Sequence, residues 1–584
     1  IFRDPRWGRG HETYGEDPYL TTRLGLAYIR GLQGEGEHLK SAACAKHFAV
    51  HSGPENERHS FNAVVDKYDL WNTYLAAFEA AVKEGKVEAV MGAYNRTNGE
   101  PCCGSKFLLT DVLRKKWKFD GHVVSDCWAI KDFHEHHRVT NSPVESVVMA
   151  IKAGCDLNCG VLFPLAYDAV QHGVLEEALI DQAVTRLIVT RLRLGILGDE
   201  DKTWAALDYE AVDCAAHRAL NLEAARRGVI MLKNDGSLPL NAAKLSSVAV
   251  IGPNADNRRS LDGNYQGTPA ERVTVLEGVR EIAEKAGCRV YYSEGCPIQG
   301  DRCQSLAQAD DRFAEARAIA KIADAVIVVL GLDGSIEGEE GDAFSESQAG
   351  DKPGIELPGR QEALLKEVRA AAGHGKPVVL VTISGSCIVS AWAEELVSGI
   401  FQAFYGGAYG GRAAAEAVFG KLNPSGKLPL TFYRDTSALP AFTDYSMEGR
   451  TYRYFKGPVL YPFGFGLSYS RFELSDLTAT RRAVSVKVKN AGPYDGREVV
   501  QVYVETPGTK EIRSLCGMGT VFLKAGKERA LRIALNKNAF GRYNENGTMM
   551  TIKGTHRLAV GFHQGDAESV RRAGTTPLYA ELVL

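Results

Sequence analysis

Two acidic groups in this chain stand where a buried strand is about to end. The first closes the run Gly121-His122-Val123-Val124-Ser125-Asp126-Cys127-Trp128. Strands buried on both faces stay apolar until they emerge, so an ionisable side chain at the emerging end sits where an α/β barrel keeps its chemistry. Taken alone, Asp126 would serve equally well as a helix cap. The second group follows Ala325-Val326-Ile327-Val328-Val329-Leu330-Gly331, in the loop Ser335-Ile336-Glu337-Gly338-Glu339-Glu340-Gly341-Asp342. A charged surface loop explains that composition, but glycines let the backbone swing, and the position suits an arm over a neighbouring pocket. Two carboxylates from different elements can open a glycosidic bond. One stays ionised and attacks the anomeric carbon while the other, protonated, donates to the leaving oxygen; a separation of about 5–5.5 Å gives retention and roughly 6.5–9.5 Å inversion. Lys46 and His47 can donate to sugar hydroxyls, and Trp128 offers a stacking face. The lysine charge also favours an ionised aspartate nearby.

The elements that would hold these groups alternate strand and helix. Strands are expected over 41–49, 87–94 and 121–126, with a short one near 154–157. Helices are expected over 67–83 and 144–153, capped by Asp66 and Ser142. Such βα units predict a parallel sheet with helices outside it. The strand ends carry Lys46 and His47, then Tyr94 and Asn95, then Asp126, then Asp156, which predicts a polar ring around a pocket. A closed barrel of this type needs eight strands. Its first strands are therefore expected before Ile1 or in a separate segment, and the start Ile1-Phe2-Arg3-Asp4-Pro5-Arg6 reads as cut from something longer.

At 584 residues the chain exceeds a single core. A net charge of −3 argues against nucleic acid and acidic membranes as partners, and no apolar run approaches a membrane span. The twelve cysteines are too sparse for a disulfide scaffold. Most are expected as buried free thiols, with Cys296 and Cys303 a candidate bridge; the compartment stays open, a cytoplasmic one favoured over secretion. A second βα alternation, with strands at 247–251, 325–330, 378–383 and 399–404, predicts an open α/β sandwich. Gly406-Gly407-Ala408-Tyr409-Gly410-Gly411 lacks dinucleotide-loop spacing and reads as a tight turn. From Phe472 onward, short alternating strands describe a β-sandwich. His134-Glu135-His136-His137 lacks the helical spacing of a metal site and reads as a polar loop.

Several motifs resemble glycoside hydrolase family 3. They are Arg6-Trp7-Gly8-Arg9-Gly10-His11-Glu12-Thr13, Lys46-His47-Phe48, Met91-Gly92-Ala93-Tyr94-Asn95 and Val124-Ser125-Asp126, followed by Leu232-Lys233-Asn234-Asp235-Gly236, Leu357-Pro358-Gly359, Gly426-Lys427-Leu428-Pro429 and Phe463-Gly464-Phe465-Gly466. The resemblance implies a partial (β/α)8 TIM-like barrel over 1–198 and a linker over 199–220. An α/β sandwich over 221–432, a connecting segment over 433–471 and a fibronectin type III-like domain over 472–584 would follow. It implies Asp126 as nucleophile and an acid/base on the sandwich loop, where Glu337 fits the xylosidase-type pattern and Glu339 the glucosidase-type spacing. The stretch between Asp342 and Leu357 is longer than the xylosidase pattern. Arg9, Lys46, His47 and Tyr94 match positions around the non-reducing sugar. Arg58 and Trp128 resemble the glucosidase side; the opening Arg3-Asp4-Pro5-Arg6-Trp7-Gly8-Arg9-Gly10, Gly331-Leu332-Asp333 and Cys127 resemble the xylosidase side. An upstream aspartate ligand of the family precedes the start of this chain. The activity implied is that of an exo-acting, retaining β-glycosidase removing terminal β-D-xylosyl or β-D-glucosyl residues from plant-derived oligosaccharides or glycosides, with no metal or cofactor. A homo-oligomer or a complementing N-terminal segment is a further expected partner. The alternatives are a non-catalytic carbohydrate-binding paralogue and a β-N-acetylhexosaminidase, for which His59 falls near the required histidine.

Overall fold

The computed structural model describes residues 1–198, 204, 206–343, 349–388 and 391–584. Residues 199–203 and 205 of the expected linker, and residues 344–348 within the long stretch before Leu357, lie outside the described residues. Strands Cys44–Phe48, Ala89–Gly92 and His122–Ser125 pair in parallel in that order, and Val124 bridges to Leu157 as a fourth, single-residue rung. The crossovers are helical. Asp66 caps the first turn of the helical stretch from Lys67 to Lys83, and Ser142 caps Pro143–Ala153, which Gly154 ends in a left-handed conformation.

The middle domain is a six-stranded sheet ordered Ile230–Asn234, Gly399–Gln402, Val378–Ile383, Ala325–Gly331, Ser247–Ile251, Arg289–Ser293. All neighbours are parallel except the edge strand Ile230–Asn234, whose antiparallel pairing the βα pattern does not announce. Alternate residues serve different cores. Val326, Val328 and Leu330 face one cluster with Val378 and Leu380, while Ala325, Ile327 and Val329 face another with Val379 and Val381. Burial on both faces is why these strands are apolar throughout. The Gly406–Gly411 turn joins Gly399–Gln402 to the helix Gly410–Val418, with Gly407 at φ 72°. The last domain packs a three-stranded sheet against a four-stranded one around Val484, Val500, Val502 and Val560.

The three domains are stitched by buried polar groups. Phe2 and Trp7 enter the core on one face of the middle sheet. Asp4 accepts from Arg450 at 2.6 Å with neither side chain exposed. Glu511 of the last domain accepts from Arg453 at 2.8 Å and from Tyr68 of the barrel at 2.8 Å. No helix among the described residues is long and apolar enough to cross a membrane.

Candidate active site

Asp126 lies one residue beyond its strand, 8 % exposed, with its amide donating to Gly92 O at 3.1 Å. Its Oδ1 accepts from the Cys127 amide at 2.9 Å. Its Oδ2 is buried, lies 3.4 Å from His47 Nε2, and has no hydrogen-bond partner. Burial raises the Asp126 pKa above its ordinary value, while the Cys127 amide, Arg9, Lys46 and the Tyr94 hydroxyl pull the other way. Burial and the cations Arg9, Lys46 and Arg58 together keep His47 neutral, so its contact with Asp126 is not an ion pair. Oδ2 thus makes no hydrogen bond and faces a neutral ring.

Around it the barrel supplies cations. Arg9 is 1 % exposed, holds Glu12 through Nε at 2.8 Å, and places Nη2 3.3 Å from His47 Nε2. Lys46 Nζ stands 3.6 Å from Glu12 Oε2 and 4.0 Å from the centre of the Tyr265 ring. Burial works against the Glu12 carboxylate, but Arg9 and Lys46 outweigh it and hold its pKa below the usual range. Arg58 covers the Tyr94 ring at 4.9 Å. Trp128 is half exposed at the rim, with its amide donating to Cys159 O at 2.7 Å.

The acidic loop behaves as an arm with two kinds of carboxylate. Glu337 is fully buried. Its Oε1 accepts from the Gly385 amide and from the Tyr405 hydroxyl at 2.6 Å, and its Oε2 from Ser386 Oγ at 2.6 Å with Lys352 Nζ at 3.6 Å. Burial alone would raise its pKa, yet Lys352, His11, Ser386 and Tyr405 hold it below the ordinary value. That is a saturated, ionised anchor within the sandwich. Glu339 reaches the barrel instead: Oε1 accepts from Arg58 at 2.8 Å and lies 3.3 Å from Arg9 Nη1, while Oε2 accepts from Tyr265 at 2.6 Å. A proton donor must reach the leaving oxygen, and of these two only Glu339 meets the groups that surround Asp126.

Three expectations are corrected. Asp156 does not join the polar ring; Arg114 and Arg186 each bind it at 2.7 Å and the Val123 amide donates to it at 2.8 Å, so it ties helices to the strand. Asn95 likewise turns inward to His51 and Val50 O. The expected Cys296–Cys303 bridge is absent, both being free thiols, and the bridge found joins Cys127 to Cys159 across 32 residues. Seven of the ten free cysteines are buried, as the composition suggested.

His59, Asp132 and His136 have ligand-type atoms within 4.8 Å of one another. Each oxygen of Asp132 meets one histidine Nδ1, His59 at 2.8 Å and His136 at 2.7 Å, so hydrogen bonding satisfies the carboxylate. Concavities of about 900 Å³ beside helix Pro143–Ala153 and at the junction of barrel and last domain contain none of the site residues. Tyr265 and Glu12 were not singled out from sequence. Tyr265 stands in a polar, glycine-flanked loop after the buried strand Ser247–Ile251, the same signal that marked the acidic arm.

Residues 1–190 match the glycosyl hydrolase family 3 N-terminal domain, 229–469 the family's C-terminal domain, and 498–564 a fibronectin type III-like domain. A xylan 1,4-β-xylosidase of Xylanibacter ruminicola is 34 % identical, the match covering 96 % of this chain and 82 % of the relative. β-D-Xylosidase 1 of Arabidopsis thaliana is 36 % identical over 96 % of this chain and 77 % of its own. Among solved structures, a GH3 exo-β-xylosidase bound to a xylobiose aziridine probe superposes with a TM-score of 0.88 at 29 % identity, covering 100 % of this chain and 78 % of that one. A β-glucosidase from Erythrobacter marinus superposes with a TM-score of 0.88 at 29 % identity, covering 100 % and 80 %.

Proposed function

The chain belongs to glycosyl hydrolase family 3 and is a glycoside hydrolase of its β-xylosidase and β-glucosidase kind, and from that premise we propose a division of labour between Asp126 and Glu339. Asp126 Oδ2 attacks the anomeric carbon of the non-reducing terminal sugar and forms a covalent glycosyl-enzyme. The bond to the aglycone oxygen breaks as Glu339 gives that oxygen its proton. Glu339, now ionised, takes a proton from water; the resulting hydroxyl attacks the anomeric carbon and displaces Asp126, restoring the starting configuration. Arg9, Lys46, His47, Arg58 and Tyr94 bind the hydroxyls and face of that sugar, and Trp128 lies at the rim where the aglycone leaves.

What carries this is the unpartnered Asp126 Oδ2, buried at a strand end with Glu339 delivered from another domain. Glu339 takes the donor role in place of Glu337, whose oxygens are occupied inside the sandwich. Terminal β-D-xylosyl groups are the preferred substrate and β-D-glucosyl groups the second, since both named relatives are β-xylosidases. A hydroxymethyl group is a difference of about 1–3 kcal/mol in such a pocket. A 2-fluoro-β-xylosyl donor with a good leaving group should trap the sugar on Asp126, and Asp126→Asn should lose turnover by about ten-thousand-fold or more. A label on another residue overturns the assignment.

A further inference from the structure

The arm between Leu332 and Lys352 leaves the sandwich anchored by Glu337 and must meet the barrel in one defined place for Glu339 to reach Arg58 and Arg9. Its return end does so through backbone. The Gly8 amide donates to Asp351 Oδ1 at 2.9 Å and the Glu55 amide to Asp351 Oδ2 at 2.7 Å, with Asp351 fully buried. The Lys352 amide donates to Arg6 O at 2.9 Å, and the Gly338 amide to Gly350 O at 3.2 Å. A β-carbon on Gly8 would lie 2.0 Å from Gly350 O and 2.6 Å from Gly338 O; one on Gly350, at φ 103°, would lie 2.4 Å from Gly338 O. Three main-chain segments therefore touch at a point where neither Gly8 nor Gly350 has room for a β-carbon. The next residue after Gly8 is Arg9 and the next after Gly338 is Glu339, and these two side chains meet at 3.3 Å.

We propose that Asp351, with the glycine seam of Gly8, Gly338 and Gly350, is the positioning device that sets how far the proton donor stands from the nucleophile. Asp351 touches neither substrate nor reacting atoms; it acts by clamping the arm that bears Glu339 to the barrel segment that bears Arg9. Gly8 and Glu55 meet Asp351 through main-chain amides, so Asp351→Asn turns an NH2 group towards one of them. Gly8→Ala pushes the same seam apart from the other side while keeping the carboxylate. The inference rests on Glu339 being the acid/base.

The test uses the full chain and a series of aryl β-xylosides with leaving groups from strongly activated to poor. Departure of a dinitrophenolate needs no proton, whereas departure of a poor leaving group does. In Asp351→Asn and in Gly8→Ala, kcat/KM for the poor leaving groups should fall by about 10- to 100-fold, as expected for a donor displaced by an ångström or so. The dinitrophenyl substrate should lose about tenfold less than the poor leaving groups do, because its departure needs no proton from Glu339. A merely structural role would lower the amount of active enzyme and depress every substrate alike; equal losses across the series, or none, overturn the inference. Glu339→Ala is run beside them. If it shows no leaving-group dependence, the assignment of Glu339 has failed; if it does and the two seam variants do not, only the clamp has failed.

Discussion

Glu337 and Glu339 stand two residues apart on one arm and bind different domains: Glu337 is sealed into the sandwich by Gly385, Ser386 and Tyr405, while Glu339 accepts from Arg58 of the barrel at 2.8 Å. Alternation along an extended segment sends neighbours i and i+2 the same way in a strand, so a turn at Gly338 is what separates them. The first ties the arm to the sandwich, and the second, our proposed proton donor, faces the barrel.

The two variants should therefore differ in kind. Glu339→Ala should lose about 100- to 10,000-fold with poor leaving groups, and azide should restore turnover of an activated aryl glycoside as a β-glycosyl azide. Glu337→Gln should weaken the arm without creating an azide-dependent product. Product analysis with azide decides between them, and rescue of the Glu337 variant alone would return the donor role to it.

The acidic limb of kcat/KM should report Asp126. Burial raises its pKa, so the ionised nucleophile is lost at a higher pH than an ordinary aspartate would require. Lys46 opposes that rise; Lys46→Met should move the limb to still higher pH and raise KM for the sugar. A limb unmoved by this change would show that the lysine charge does not reach Asp126.

The Cys127–Cys159 bridge ties the loop after Asp126 to the loop after Leu157, beside the Trp128 amide bonded to Cys159 O at 2.7 Å. Cys159→Ser, or reduction with dithiothreitol, should free the peptide whose amide holds Asp126 Oδ1 and lower kcat by about 10- to 100-fold. Rates compared before and after reoxidation check it, and unchanged kcat in the fully reduced enzyme speaks against a positioning role.

Acid should unfold the protein through its interdomain carboxylates. Burial would raise Asp4 and Glu511, but arginines hold both near about 2: Arg6, Arg3 and Arg450 for Asp4, Arg453 and Arg542 for Glu511. A carboxylate with a depressed folded pKa contributes its full stability above about pH 4, its unfolded value, and loses it as pH falls towards 2. Asp4→Asn and Glu511→Gln should each cost about 3–5 kcal/mol at pH 7, since they leave buried arginines uncompensated. Their penalty should shrink at pH 2–3, as urea midpoints at the two pH values will show.

Sequence alone determined the architecture and the place of the proposed nucleophile. Runs such as Val378–Ile383 and the caps Asp66 and Ser142 declare their elements within a few residues, because strand period, helix period and capping are local properties. Asp126 was legible for the same reason: its position follows from where one strand stops. The remaining site residues are decided by pairings that no local pattern contains. Glu339 finds Arg58 across 281 residues, Asp351 finds Gly8 across 343, and Cys127 chooses Cys159 over nearer thiols. Asp156 shows the converse, a carboxylate at a strand end that tertiary packing turns outward to Arg114 and Arg186. Which acid anchors and which donates depends on what surrounds each carboxylate once the sandwich is laid on the barrel. That surrounding exists only in the folded chain.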